Sequence, residues 1–177
     1  MILVPGVASA GELHGIAAGG AATSSWEGDG AVLSMGKVGY RLDDKVGFYA
    51  FGSAGYAGVQ RRVLTSGGAG LQLWTRYGKL MPYVRGALVR QHERSLGKAM
   101  DDPLGTLIGT EDDIRQRSGV LFGAGIDLPL WRVKGATFFA SADASVTSFR
   151  DDLGPQSYWI GTVGLGVNLD ITKSELR

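Results

Sequence analysis

The chain has 177 residues, with 18 Lys and Arg against 17 Asp and Glu, and no Cys. This length suits one domain with a full core, and the balanced charge excludes the strongly basic surface of a nucleic-acid-binding protein. The lack of Cys excludes disulfides, thiol catalysis and thiolate metal sites, and we expect neither a cofactor nor a metal.

The first residues, "MILVPGVASAGEL", contain a small-x-small pattern at Ala8-Ser9-Ala10 that fits a signal-peptidase site. We interpret residues 1–10 as the remnant of a signal peptide or as an N-terminal extension. Residues 11–171 form the predicted domain, and residues 172–177, "TKSELR", form a polar tail.

Eight segments in which apolar and polar residues alternate follow one another along the chain, which predicts β-strands. Each has about 11 to 15 residues, whereas strands of globular proteins have ~5–6 and tilted membrane strands need ~9–11. The predicted strands are residues 12–23, 31–41, 46–58, 68–78, 81–92, 116–128, 136–148 and 157–171. Many of the 29 glycines lie inside these segments, as in "GTVGLGVNL", where glycine allows curvature and close backbone approach.

The connections between the predicted strands alternate in length. "LDDK", "GKL" and "PLWRVKG" are short, whereas "VQRRVLTSGG", "ERSLGKAMDDPLGTLIGTEDDIR" and "FRDDLGP" are longer and more polar. Short turns at one rim and long loops at the other are typical of bacterial outer-membrane barrels. We predict no helix in residues 100–114, because Pro103, Gly105 and Gly109 interrupt that stretch.

The two faces of each predicted strand differ in polarity. In "ATFFASADASV", residues 136–146, Asp143 shares a face with Thr137 and Ser141, while alanines and Val146 share the other. The polar faces carry Gly, Ser and Thr with about one charge per strand, which suits a narrow lumen better than a water-exposed surface. We therefore predict an all-β, eight-stranded antiparallel up-and-down transmembrane barrel with its apolar face toward lipid.

One charged group per strand, on average, is predicted to point into the lumen. Because a buried charge needs a partner, we predict a network of ion pairs. Its members are Lys37, Arg76, Arg85, Arg117, Asp127, Asp143 and Asp170. The predicted register places Asp143 opposite Leu121 and near Arg117, and it places Arg85 beside Trp74.

Aromatic residues on the apolar faces predict two interface belts, as expected for a membrane barrel. Tyr40, Tyr77 and Trp131 lie near the short turns, and Tyr56 and Trp159 lie near the long loops.

This pattern, with the glycine-rich closing strand "YWIGTVGLGVNLDI", resembles the OmpA- and OmpX-type small outer-membrane barrels over about residues 11–171. The resemblance implies a location in the outer membrane of a Gram-negative bacterium. It also implies that the last strand is the signal read by the insertion machinery. That signal usually ends in an aromatic residue, whereas this strand ends in Leu169-Asp170-Ile171.

No catalytic pattern is evident, and we predict that the chain is not an enzyme. His92 beside Glu93 is the one pair that suggests hydrolytic chemistry, and we interpret it as part of a charged loop. The favoured function is a structural or surface-interaction role, in which the barrel contacts membrane lipid and lipopolysaccharide and loop 93–115 contacts a surface ligand or an envelope protein. The alternatives are a narrow pore and a soluble lipocalin-like ligand-binding barrel, and no ligand-binding residue is assigned.

Overall fold

A computed structural model describes residues 11–43, 45–110, 114–151 and 153–171; the predicted N-terminal extension and polar tail lie outside the described residues. In these ranges eight antiparallel strands form a closed barrel in which β1 pairs with β8. The strands are β1 Glu12–Ser24, β2 Gly30–Arg41, β3 Val46–Ala57, β4 Arg62–Trp74, β5 Met81–Ser95, β6 Arg115–Val133, β7 Ala136–Phe149 and β8 Ser157–Asp170. The predicted all-β up-and-down barrel is confirmed.

Connections 42–45, 75–80 and 134–135 meet at one end of the barrel, which we call the short-turn rim. Connections 25–29, 58–61, 96–114 and 150–156 meet at the other end, the long-loop rim. The alternation of connection lengths seen in the sequence therefore separates the two ends of the barrel.

The strands are strongly staggered. A row of hydrogen-bonded neighbours that starts at His14 on β1 passes around the barrel and returns to β1 at Ser24, ten residues further on. The row is His14, Gly39, Tyr49, Gly70, Ala87, Leu121, Thr147, Tyr158 and Ser24. A closed sheet with this stagger has tilted strands, ~35–45° in outer-membrane barrels, so each such row rises toward the long-loop rim.

Three strands differ from their predicted limits by three residues or more, since β5 also extends from His92 to Ser95, and the predicted register was wrong. β4 begins at Arg62 and not at the predicted residue 68. The prediction missed this part of the strand because Val63 and Leu64 are both apolar and hide the alternation there. β6 extends through a bulge to Val133, and the β6–β7 turn contains only Lys134 and Gly135, both with positive φ, as a tight hairpin turn requires.

The new register changes the partners of the predicted charged residues. Asp143 pairs with Gly125 rather than with Leu121, and Arg85 pairs with Gln72 rather than with Trp74. Trp74 instead pairs with Tyr83.

The connection between β5 and β6 contains two short helices, α1 (Leu96–Asp101) and α2 (Pro103–Ile108), so the prediction of no helix was wrong. Pro103 occupies the first turn of α2, where its missing N–H needs no partner. The carboxylate of Asp102 accepts a hydrogen bond from Gly105 N at 3.0 Å, and Gly109 ends the helix at φ 78°. Among the described residues no helix is long and apolar enough to cross a membrane.

The barrel wall has the reverse polarity of a soluble protein. Leu88 and Val163, which face outward, are 74% and 69% exposed, whereas Arg85 and Arg117, which face the lumen, are 5% and 2% exposed. Water-exposed barrels place charges outside and apolar side chains inside, so this wall is built to face an apolar surrounding.

Candidate functional site

The centre of the lumen is held by a bidentate ion pair between β5 and β7. Arg85 Nη2 lies 2.6 Å from Asp143 Oδ1, and Arg85 Nε donates to Asp143 Oδ2 at 2.9 Å. The Tyr83 hydroxyl donates to the same Oδ2 at 2.9 Å, and Arg85 Nη2 also donates to Ser145 Oγ at 3.3 Å. The carboxylate in the middle of β7 therefore neutralises a buried guanidinium from β5, which lies two strands away in the wall.

Two other predicted lumenal charges have neutral hydrogen-bond partners. Lys37 Nζ donates to Gln72 Oε1 at 2.9 Å and lies 4.9 Å from the centre of the Tyr83 ring. Trp74 Nε1 donates to Asp127 Oδ2 at 3.3 Å. Both charged groups are buried, so the lumen combines ion pairs with amide, indole and aromatic contacts.

The short-turn rim is more open than the centre. Arg41 Nη1 lies 3.0 Å from Glu12 Oε2, and Arg132 lies 3.9 Å from Asp170. Arg76 lies beyond the end of β4 and is exposed. The prediction that Arg76 joins the buried ion pairs was therefore wrong. Arg76 lines a cavity of about 380 Å³ at this rim.

A second cluster of charged side chains lies at the long-loop rim, and Glu93 is at the centre of this cluster. Glu93 Oε2 accepts a hydrogen bond from Arg62 Nη1 at 2.8 Å, while Oε1 accepts from Arg117 Nη1 at 3.3 Å and from the Tyr158 hydroxyl at 3.1 Å. Gln91 Nε2 donates to Oε1 at 2.8 Å. One buried carboxylate thus connects β4, β5, β6 and β8.

Two loop carboxylates complete this group. Asp29 Oδ2 lies 2.5 Å from Arg62 Nη2, and Asp151 Oδ1 accepts from Arg117 Nε at 2.7 Å. We call Asp29, Arg62, Glu93, Arg117 and Asp151 the cap cluster. Of these five residues, the predicted network of lumenal ion pairs includes only Arg117. The predicted strand limits place Arg62, Glu93, Asp29 and Asp151 in loops.

An apolar layer separates the cap cluster from the central ion pair. Along β5 the inward residues run from Arg85 through Val89 to Glu93. Val89 packs with Tyr49, Phe51 and Leu121, and Met35 and Ala87 border this cluster. The lumen is therefore filled by side chains, as expected for eight strands.

The suggested hydrolytic pair does not form. Glu93 points into the lumen, while His92 is on the opposite face of β5, where a Cβ on Gly109 would collide with its ring. His14 is buried, hydrogen-bonded to Asn168 at 2.6 Å and stacked on Phe139. Within the described ranges no group of three or more His, Asp or Glu residues could hold a metal ion.

Several solved structures have this architecture. The N-terminal β-barrel domain of OprF from Pseudomonas aeruginosa matches with a TM-score of 0.59 and 21% identity, covering 89% of this chain and 97% of that chain. Neisserial surface protein A matches with a TM-score of 0.60 and 18% identity, covering 93% and 99%. Ail, the attachment invasion locus protein of Yersinia pestis, matches with a TM-score of 0.50 and 12% identity, covering 92% and 99%.

The chain has the fold of the small outer-membrane barrels. The OmpA/OmpX-type resemblance is thereby confirmed at the level of the fold. Neither a protein-family model nor a curated protein matches the sequence.

In a small outer-membrane barrel, belts of aromatic side chains mark the two membrane interfaces. Tyr40 and Trp131 lie on the outer wall near the short-turn rim, Tyr77 lies in connection 75–80 at that rim, and all three are exposed. Trp159 is exposed near the long-loop rim, and Tyr56 lies half-buried on β3 near the same rim. These positions would place the hydrocarbon layer between the two groups.

Proposed function

We propose that this chain is a bacterial outer-membrane barrel with a structural or surface-interaction role, and that loop 96–114 is its main contact element. The observation that carries the proposal is the reversed polarity of the wall, with a charged lumen inside an apolar exterior. Such a wall is stable in lipid, where the closed sheet also satisfies every ladder hydrogen bond.

The surface role is supported by the two helices in the described part of loop 96–114. Helices α1 and α2 fold against the outer wall: Thr65 Oγ1 donates to Thr106 O at 3.4 Å, and Arg94 Nη1 donates to Thr106 Oγ1 at 3.0 Å. The same helices leave Met100 and Leu104 72% and 70% exposed. An anchored segment that presents two large apolar side chains fits a contact with another molecule.

The alternatives receive less support. A pore needs a hydrated path, whereas the described lumen contains the Arg85–Asp143 pair, an apolar layer and the cap cluster. We expect the folded protein to give no steady conductance in a planar bilayer, and a reproducible unitary step would favour the pore. A soluble lipocalin-like barrel needs an apolar interior and a polar exterior, the reverse of this wall.

Location and orientation can be tested by cysteine labelling, because the chain has no Cys of its own. Lys98→Cys places a thiol in α1, and Lys79→Cys places one in the turn at the opposite rim. In intact cells we expect a membrane-impermeant maleimide to label the first variant, and to label the second only after permeabilisation. Labelling of neither or both variants in intact cells would contradict the proposed topology.

Val163→Arg tests whether lipid surrounds the wall. Val163 faces outward midway along β8, and a guanidinium at the bilayer midplane should lower the free energy of unfolding by about 2–4 kcal/mol. Leu169→Arg is the matched control, because Leu169 is on the same face of the same strand near the short-turn rim, where the expected loss is ~0–1 kcal/mol. The loss for each variant is measured by urea unfolding of the vesicle-folded protein, with gel mobility as the readout. Equal small losses would mean that Val163 faces water.

A further inference from the structure

The outer wall over β1 to β4 contains a groove of about 700 Å³. Its floor is a row of laterally hydrogen-bonded residues, Ala17, Gly36, Gly52 and Gly67. The register continues this row to Arg90 on β5. The adjacent row toward the long-loop rim includes Ser34, Ala54 and Thr65, and it continues to His92.

The groove rises from the middle of the wall toward the long-loop rim. Its row starts at Ala17, near the middle of β1, and reaches Arg90 near the end of β5 that joins loop 96–114. Four strand spacings of ~4.8 Å make this path about 19 Å long. Because the strands tilt by ~35–45°, the row rises about 11–13 Å along the membrane normal, compared with ~15 Å for half of a bilayer's hydrocarbon core. In the proposed orientation, the groove therefore crosses most of the outer leaflet.

Packing within the chain does not explain why these positions lack side chains. A Cβ on Gly36 would meet nothing within 4 Å, and on Gly52 its nearest neighbour would be Ser66 O at 4.0 Å. By contrast, a Cβ on the lumen-facing Gly39 would come within 2.6 Å of Phe48 O. The lumenal glycine is required by barrel closure, whereas the outer glycines leave space for an occupant from outside the chain.

The upper end of the groove is cationic. Arg90, His92 and Arg94 occupy successive outward positions on β5. Arg90 is exposed and donates to the side-chain oxygen of Gln116, and Arg94 donates to Thr106. A guanidinium at a lipid-facing position is stabilised by an anionic head group, and its planar donors match phosphate geometry.

We propose that this groove binds one acyl chain of a phosphorylated glycolipid of the outer leaflet, the lipid A portion of lipopolysaccharide, with its phosphate against Arg90. The proposal rests on the outer-membrane location and gives the contact with surrounding lipid a defined site. The apolar floor accepts the chain, and the β5 cations, beside α2, accept the head group.

The test compares lipid A binding to the full-length, detergent-folded protein by native mass spectrometry titration. Gly36→Leu/Gly52→Leu fills the groove, and Arg90→Gln removes the cation. Gly161→Leu is the matched control, because a Cβ on Gly161 also meets nothing within 4 Å, on β8 outside the groove. We expect binding at least tenfold weaker for both test variants and unchanged for the control.

Two further ligands test the chemistry. Dephosphorylated lipid A should bind the unmodified protein at least tenfold more weakly, and the Arg90→Gln variant should no longer distinguish the two forms. Equal lipid A affinity for all four proteins, or equal binding of phosphatidylglycerol, would overturn the proposal. A gel shift on boiling verifies the fold of every variant. The cysteine labelling tests the location separately, so either proposal can fail alone.

Discussion

Asp143→Asn should lower the free energy of unfolding by about 3–5 kcal/mol, because it leaves the Arg85 guanidinium buried without its counter-charge. The two side chains are 1% and 4% exposed, so water cannot replace the lost interaction. Urea unfolding in lipid vesicles measures the effect. Asp170→Asn is the control: its partner Arg132 is 3.9 Å away and 63% exposed, and the expected loss is below ~1 kcal/mol.

A double variant separates the loss of the pair from the burial of an unpaired charge. Arg85→Met/Asp143→Leu removes both charges and keeps apolar volume in the lumen. Replacement of a buried ion pair by apolar residues is often neutral or stabilising, so this variant should be more stable than Asp143→Asn. A double variant as unstable as the single one would show that the loss does not come from an unpaired Arg85.

The side of the wall on which Asp143 lies could be predicted from the sequence, but its partner could not. Alternation with a period of two assigns every residue of a strand to one face, and this assignment survives any even register shift, here four residues from Leu121 to Gly125. The partner depends on the hairpin. The bulge at Pro129 and the tight turn at Lys134–Gly135 move Asp143 away from Leu121 and bring Arg85 within reach.

The cap cluster was missed for a different reason. Asp29 and Asp151 lie in loops that are distant in sequence, and only barrel closure brings β1 beside β8 and both carboxylates over one opening. Glu93 was detectable in principle, because it continues the inward series of β5 by one step beyond Gln91. The fold thus follows from local alternation, whereas the rim chemistry depends on contacts between distant segments.

The same dependence on distant segments makes Glu93→Gln the most informative change at the long-loop rim. Arg62 and Arg117 have side chains 5% and 0% exposed, and both would lose their shared carboxylate. We expect a loss of about 3–5 kcal/mol in the free energy of unfolding. Asp29 and Asp151 would then be the remaining carboxylates of the cap cluster. Because Arg62 and Arg117, which bind these two loop residues, would no longer be held by Glu93, loops 25–29 and 150–156 should also become more open to protease in the folded barrel.

Arg115→Gln is the matched control for this cluster. Arg115 approaches the same Glu93 carboxylate at 3.7 Å, but its side chain is 39% exposed, so solvent screens the pair and the expected loss is below ~1 kcal/mol. Urea unfolding and limited proteolysis of the two variants can be compared directly. Equal behaviour would mean that the cap is held by loop packing and not by the buried carboxylate. A large difference would identify Glu93 as the residue that couples barrel stability to the order of the surface loops.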